Sequence, residues 1–220
     1  MKHLKMLAMA AVAATALIAF AGAGTASATV LCKNNLNTSS CSEDYGAGTE
    51  VKFNSTMNSV LHAGGGIFHF GCGSSSFSGK TDSTGGSANT VSIPITAKLY
   101  DPCGCGISVI SYGTLELHHV SGTDDATVTS SGTRMRTNCS TIFGPVRCTY
   151  ATENTDLGTL QGGNPAKLPI NATVKIVPES DPICGVPFVN EKEELEFKPE
   201  ATWTAEYQVT SPKPLYVTAG

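Results

Sequence analysis

Beyond residue 49 hydrophobic and polar residues alternate along most of the chain. Val51 and Phe53 stand against Lys52 and Asn54, and Leu115 and Leu117 against Thr114, Glu116 and His118. The longest run places Val91, Ile93, Ile95, Ala97 and Leu99 on one face, with Ser92, Pro94, Thr96 and Lys98 on the other. Met135 and Cys139 share a face, as do Val146, Cys148 and Tyr150, and then Ile170, Ala172, Val174 and Ile176. Leu195 and Phe197 alternate with Glu194 and Glu196, and Trp203, Ala205, Tyr207 and Val209 with Thr202, Thr204, Glu206 and Gln208. A period of two marks strands with one face on a core and one in water. Pro94 has no N–H to give to a neighbour, which predicts an edge position for its strand. No stretch from 49 to 220 carries apolar residues at helical spacing. Turn signals recur at Gly64-Gly65-Gly66, Gly85-Gly86, Ser121-Gly122, Gly144-Pro145 and Gly162-Gly163. The pattern predicts an all-β fold, an antiparallel β-sandwich, Ig-like or related, of ten or more strands.

The first 28 residues break this pattern. Lys2, His3 and Lys5 precede an uncharged apolar run from Met6 to Ala21, and Ala26-Ser27-Ala28 supplies small residues at a cleavage site. This is the layout of a secretory signal peptide. The run falls short of the roughly 20 residues that span a bilayer. Leu31 before Cys32 does not suit lipidation, and no twin arginine is present. The expected mature chain begins at Thr29, is secreted, and carries no membrane span. An N-terminal cysteine loop is expected over 29–48 and one sandwich domain over 49–220. Ser121 to Asp125 is the one candidate linker within it.

Composition narrows the function classes. Only 15% of residues are charged and the net charge is −4, against about 25% charged in an ordinary soluble domain. Without the leader the balance is 12 basic to 18 acidic residues. The basic footprint of a nucleic-acid binder is missing. Ser (21) and Thr (26) suit the wet faces of antiparallel strands, where Thr combines strand propensity with a polar tip.

All eight cysteines, Cys32, Cys41, Cys72, Cys103, Cys105, Cys139, Cys148 and Cys184, follow the leader. An even set in an exported chain predicts disulfides. Cys32 and Cys41 close a local loop. A turn at Phe143-Gly144 would place Cys139 opposite Cys148, at a spacing a disulfide bridges. Cys103 and Cys105 then take Cys72 and Cys184, in an order the sequence leaves open. Cys-x-Cys spacing matches neither the usual zinc pairs nor a redox Cys-x-x-Cys.

Catalytic signatures are absent: no G-x-S-x-G, no H-E-x-x-H, no P-loop and no dinucleotide fingerprint. His118 and His119 point to opposite faces if on a strand, so they cannot share an ion. His62 and His69 are the candidate metal pair. A turn at Gly65-Gly66 brings them opposite each other, at a spacing that holds Zn²⁺ or Cu²⁺ with a third ligand. Asp124-Asp125 and Glu153-Asn154-Thr155-Asp156 read as turn carboxylates rather than calcium ligands. The acidic run Glu191, Glu193, Glu194 and Glu196 reads as a solvated edge. No cofactor is expected.

Three stretches together carry a resemblance: the Cys32…Cys41 loop with Tyr45 and Gly48-Thr49, the Cys139…Cys148-Thr149-Tyr150 hairpin, and Trp203-Thr204-Ala205-Glu206-Tyr207 with Ser211-Pro212 and Leu215-Tyr216-Val217. Over most of the mature chain the sequence resembles uncharacterised secreted proteins of high-GC Gram-positive bacteria. The resemblance implies export and a β-rich fold, and supplies no activity. The expectation is an extracellular, non-catalytic binding or structural module for a protein or carbohydrate. The alternative is a secreted hydrolase of glycans or peptides using carboxylates from separate strands.

Overall fold

The computed structural model describes residues 29–34, 41–63, 68–82, 90–141, 144–189 and 195–219. The expected leader, the glycine turns at 64–66 and 85–86, Phe143 and most of the acidic run from Glu191 lie outside them. The strands are β1 (Thr29–Cys32), β2 (Glu50–Ser55), β3 (Ser59–Ala63), β4 (Phe68–Lys80) and β5 (Val91–Cys103). They continue as β6 (Gly106–Ser111), β7 (Thr114–His119), β8 (Ala126–Ser131), β9 (Arg134–Thr141) and β10 (Gly144–Ala151). Next come β11 (Thr155–Leu160), β12 (Lys167–Ile176), β13 (Val186–Val189), β14 (Leu195–Lys198), β15 (Glu200–Ser211) and β16 (Tyr216–Ala219). One turn of 3₁₀ helix, Pro182–Cys184, follows β12. Every ladder among the described residues is antiparallel. No described helix is long and apolar enough to cross a membrane.

The period-two pattern is followed most faithfully in β12 and β15. Leu168, Ile170, Ala172, Val174 and Ile176 are buried in the first, and Ala201, Trp203, Ala205, Tyr207 and Val209 in the second. The two strands pair over nine residues, from Lys167↔Gln208 to Lys175↔Glu200. On one side the sheet runs through β10 and β9 to β6, and on the other through β2 and β4 to β5, with β3 bridging β15 and β4. β7, β8 and β11 form the second layer. Ser121 to Asp125 is the β7–β8 hairpin turn, closed by the Val120 N–H on the Asp125 carbonyl at 2.9 Å.

β5 belongs to both layers. Val91–Pro94 pair with β7, and Ile95–Cys103 with β4. Pro94 therefore sits inside a sheet, correcting the edge position expected for it. Its missing N–H falls where the strand changes partner. The two backbones crowd here, and a Cβ on Gly79 of β4 would lie 2.3 Å from the Pro94 carbonyl oxygen. Glycine is what permits that approach.

The expected inward face of β5 is also corrected. Ile95 pairs with Gly79 but Ala97 pairs with Ser78, so Thr96 is an extra residue in the ladder. Such a bulge reverses the faces of everything after it. Val91, Ile93 and Ile95 are buried as expected, but Leu99 is 63% exposed. Lys98 and Tyr100 take its place on the interior side.

The four disulfides are Cys32–Cys41, Cys72–Cys103, Cys105–Cys139 and Cys148–Cys184. Cys32–Cys41 is the local loop expected. The Cys139–Cys148 pair is not formed. Val146 faces Cys139 and Thr137 faces Cys148, so the turn sits one residue earlier than Phe143-Gly144. Both cysteines stay on the buried face but out of register with each other. Cys184 consequently joins Cys148, not the Cys-x-Cys pair. Two residues apart on a straight strand, Cys103 and Cys105 would share a face. The bend at Gly104-Cys105 breaks that relation, leaving Cys103 bonded to Cys72 of β4 and Cys105 to Cys139 of β9.

Residues 29–48 are more than a loop. β1 pairs with β16 from Thr29↔Ala219 to Cys32↔Tyr216. The Tyr45 N–H donates to the Leu31 carbonyl at 2.8 Å and its hydroxyl to the Pro214 carbonyl at 2.6 Å. Peptide mapping under non-reducing conditions is expected to recover Cys105 linked to Cys139 and Cys148 linked to Cys184, with no Cys139–Cys148 peptide.

Candidate functional site

His118 and His119 lie on opposite faces of β7. The His118 Nε2 is 4.0 Å from Glu116 Oε2 at the surface. His119 Nε2 donates to the Thr123 carbonyl at 2.9 Å, which ties the ring to the β7–β8 turn. Of the carboxylates nominated in turns, two hold backbone and one holds a lysine. Asp125 Oδ1 accepts the Gly162 N–H at 2.9 Å, Asp156 Oδ1 accepts that of Gly158 at 2.9 Å, and Glu153 pairs with Lys175 at 2.5 Å. His62 and His69 do face each other across β3 and β4, with their Nδ1 atoms 2.8 Å apart.

The buried amine of Lys98 was not legible in the sequence. The bulge at Thr96 turns Lys98 inward against a buried cluster of hydroxyls. Lys98 Nζ donates to Thr133 Oγ1 at 3.0 Å, and that hydroxyl donates to the Tyr112 carbonyl at 2.8 Å. Ser130 Oγ lies 3.0 Å from Thr152 Oγ1, which also accepts the Thr133 N–H at 3.2 Å. Burial of the amine, with no carboxylate partner among the described residues, pushes Lys98 down to about 7 from the usual 10.5, since desolvation penalises the charged form. Nothing separates Ser130, Thr133 and Thr152 by type from the other hydroxyl residues of the chain. The only local signal was a lysine between Ala97 and Leu99, and the alternation assigned it to water.

Aromatic residues occupy the interior beside this cluster. Phe53 stacks on Phe77 at 4.5 Å between ring centroids, and Tyr207 meets Phe77 edge-on at 4.8 Å. Their polar tips are mostly satisfied. Tyr207 bonds Ser75 at 2.6 Å, the Trp203 indole N–H donates to Ser59 at 2.9 Å, and the Tyr100 hydroxyl donates to Met135 Sδ at 2.8 Å. Burial pushes the Tyr100, Tyr150 and Tyr207 hydroxyls upward. The cavity shared by Lys98, Thr133 and Tyr150 has a volume of about 20 Å³, room for one water and not for a substrate.

A larger depression lies on the surface. An open trough of about 330 Å³ is lined by Asn138, Ser140 and Arg147 of the β9–β10 hairpin and by Glu179 and Asp181. Cys105–Cys139 and Cys148–Cys184 fix its two walls. Its carboxylates already hold structure. Asp181 Oδ2 accepts the Arg147 N–H at 2.6 Å, and Glu179 Oε1 accepts from Arg134 at 2.6 Å.

Comparison with protein-family models, curated proteins and solved structures gives no match.

The Lys98 environment makes a pH-dependent prediction. Between about pH 7 and 10 the unfolded chain holds a proton at Lys98 that the folded chain has released. Stability therefore rises with pH across that window, while the buried tyrosines keep their protons. Lys98→Met is expected to raise stability near pH 6 by about 1–4 kcal/mol. The gain should shrink toward pH 9.5, as read from urea unfolding at both pH values.

Proposed function

We propose that the chain is exported and acts outside the cell as a non-catalytic, disulfide-stapled binding module. The trough at the β9–β10 hairpin is its contact surface. The carrying observation is that this trough displays polar groups on walls pinned by two disulfides. Rigid walls lower the ordering cost of association. Asn138, Ser140 and the Arg147 guanidinium offer donors and acceptors, and the chemistry suits a polar ligand, a glycan or a peptide main chain. Both trough carboxylates are engaged elsewhere, which disfavours an acid–base pair. Export rests on the reading of residues 1–28 and on four disulfides, which persist in oxidising compartments.

A glycan array and a panel of extended peptides probed with the exported chain test this reading. Asn138→Ala/Arg147→Ala is expected to weaken binding of any retained ligand at least tenfold with an unchanged melting temperature. Retention unaffected by the double variant overturns the assignment of the trough. Release of reducing ends or new amino termini from the same ligands overturns the non-catalytic reading.

A further inference from the structure

The β3–β4 hairpin carries a second site, independent of the trough. His62 and His69 are direct cross-strand partners. Their Nδ1 atoms lie 2.8 Å apart, and the rings stand at 88° with centroids 4.8 Å apart. An imidazole nitrogen facing another at this distance needs one donor and one acceptor, so a single proton lies between the rings. We infer that this pair is a two-histidine platform for a divalent transition-metal ion, Cu²⁺ above Zn²⁺, in which the ion takes the place of that shared proton.

The spacing fits with little movement. Two nitrogens bound at about 2.0–2.1 Å to one ion, at angles between square and tetrahedral, stand roughly 2.9–3.4 Å apart. The observed separation needs to open by only a few tenths of an ångström. The ring that donates moves its proton from Nδ1 to Nε2, and both Nδ1 lone pairs then face the ion. The rings stay neutral, no net proton is released, and the ion exchanges two of its waters for two nitrogens. No redox change is involved.

The backbone under the pair is held on both sides. β3 pairs with β4 through Ser59–Ala63 and with β15 through Val60–His62, where His62 faces Thr202. His62 is partly exposed and His69 exposed, so the remaining positions on the ion open to water. No cluster of three His, Cys, Asp or Glu side chains occurs among the described residues, and no cysteine is free. Soft thiolate chemistry is thus excluded at this site. For a site of imidazole nitrogen and water, affinity among first-row ions peaks at Cu²⁺.

The experiment is a Cu²⁺ titration of the chain beginning at Thr29, which leaves out His3 as a competing ligand. It is followed by calorimetry and by electron paramagnetic resonance in a weakly competing buffer. One equivalent is expected to bind with a Kd of about 10 μM or tighter, with splitting from two nitrogens. His62→Gln and His69→Gln should each weaken it at least tenfold, and His118→Gln should leave it unchanged. Near-ultraviolet circular dichroism reports folding. Should His62→Gln misfold, the more exposed His69→Gln carries the test. Affinity weaker than about 100 μM, or tight binding that persists in His69→Gln, overturns the site.

Discussion

A strand has two hydrogen-bonding edges, and in this fold β5 must satisfy both layers with them. It gives its first four residues to β7 and the remainder to β4. The backbone cannot make that change while keeping one side chain in two inward. Thr96 is the extra residue that resolves the conflict. Because of it, Ile95 before the bulge and Lys98 and Tyr100 after it all face the interior, where they line the same cavity. The same demand explains why Pro94 is tolerated within a sheet and why Gly79 must lack a side chain beside it. It also explains the Cys-Gly-Cys corner, where β5 ends and β6 leaves for a different neighbour.

The disulfides follow from this geometry. Three of the four join segments 31, 34 and 36 residues apart in sequence. Each restricts the unfolded chain by closing a long loop, a contribution of about 2–4 kcal/mol in typical domains. Two of them anchor the β9–β10 hairpin, Cys139 of β9 to Cys105 just before β6, and Cys148 of β10 to Cys184 of the 3₁₀ turn. The hairpin of β9 and β10 would otherwise hang from two paired positions on β12, Tyr150↔Ile176 and Ala151↔Lys175. Cross-linking to Cys105 and to Cys184 converts that weak seam into a fixed wall.

How much of this was readable depended on whether local pattern and tertiary pairing agreed. β2, β12 and β15 alternate cleanly, and their buried faces are those the sequence predicts. The register of His62 with His69 followed from turn arithmetic, because β3 and β4 continue without a bulge on either side. β4 itself was invisible in Gly71-Cys72-Gly73-Ser74-Ser75-Ser76: glycine and serine have little strand propensity, and pairing with β3, β2 and β5 makes them extended. The Lys98 cluster failed for the opposite reason. Its local alternation was strong and pointed the wrong way, since a bulge is set by the neighbouring strand. The Cys139–Cys148 pairing failed by one residue of turn position, which moves an opposed pair two places apart.

The pairing of β1 with β16 joins residues at the two limits of the described chain, Thr29 with Ala219. Chains are made from the N-terminus onward, so β1 exists for the whole of synthesis without the strand it belongs beside. Contacts of such separation carry the largest loop-closure cost and form late. Through this period Val30 and Leu31, both buried in the finished fold, have no ladder to join. The Cys32–Cys41 bridge lies in the same segment and needs only nine residues to close. Its closure does not depend on β16, so this cross-link can tie the segment before the β1–β16 ladder forms.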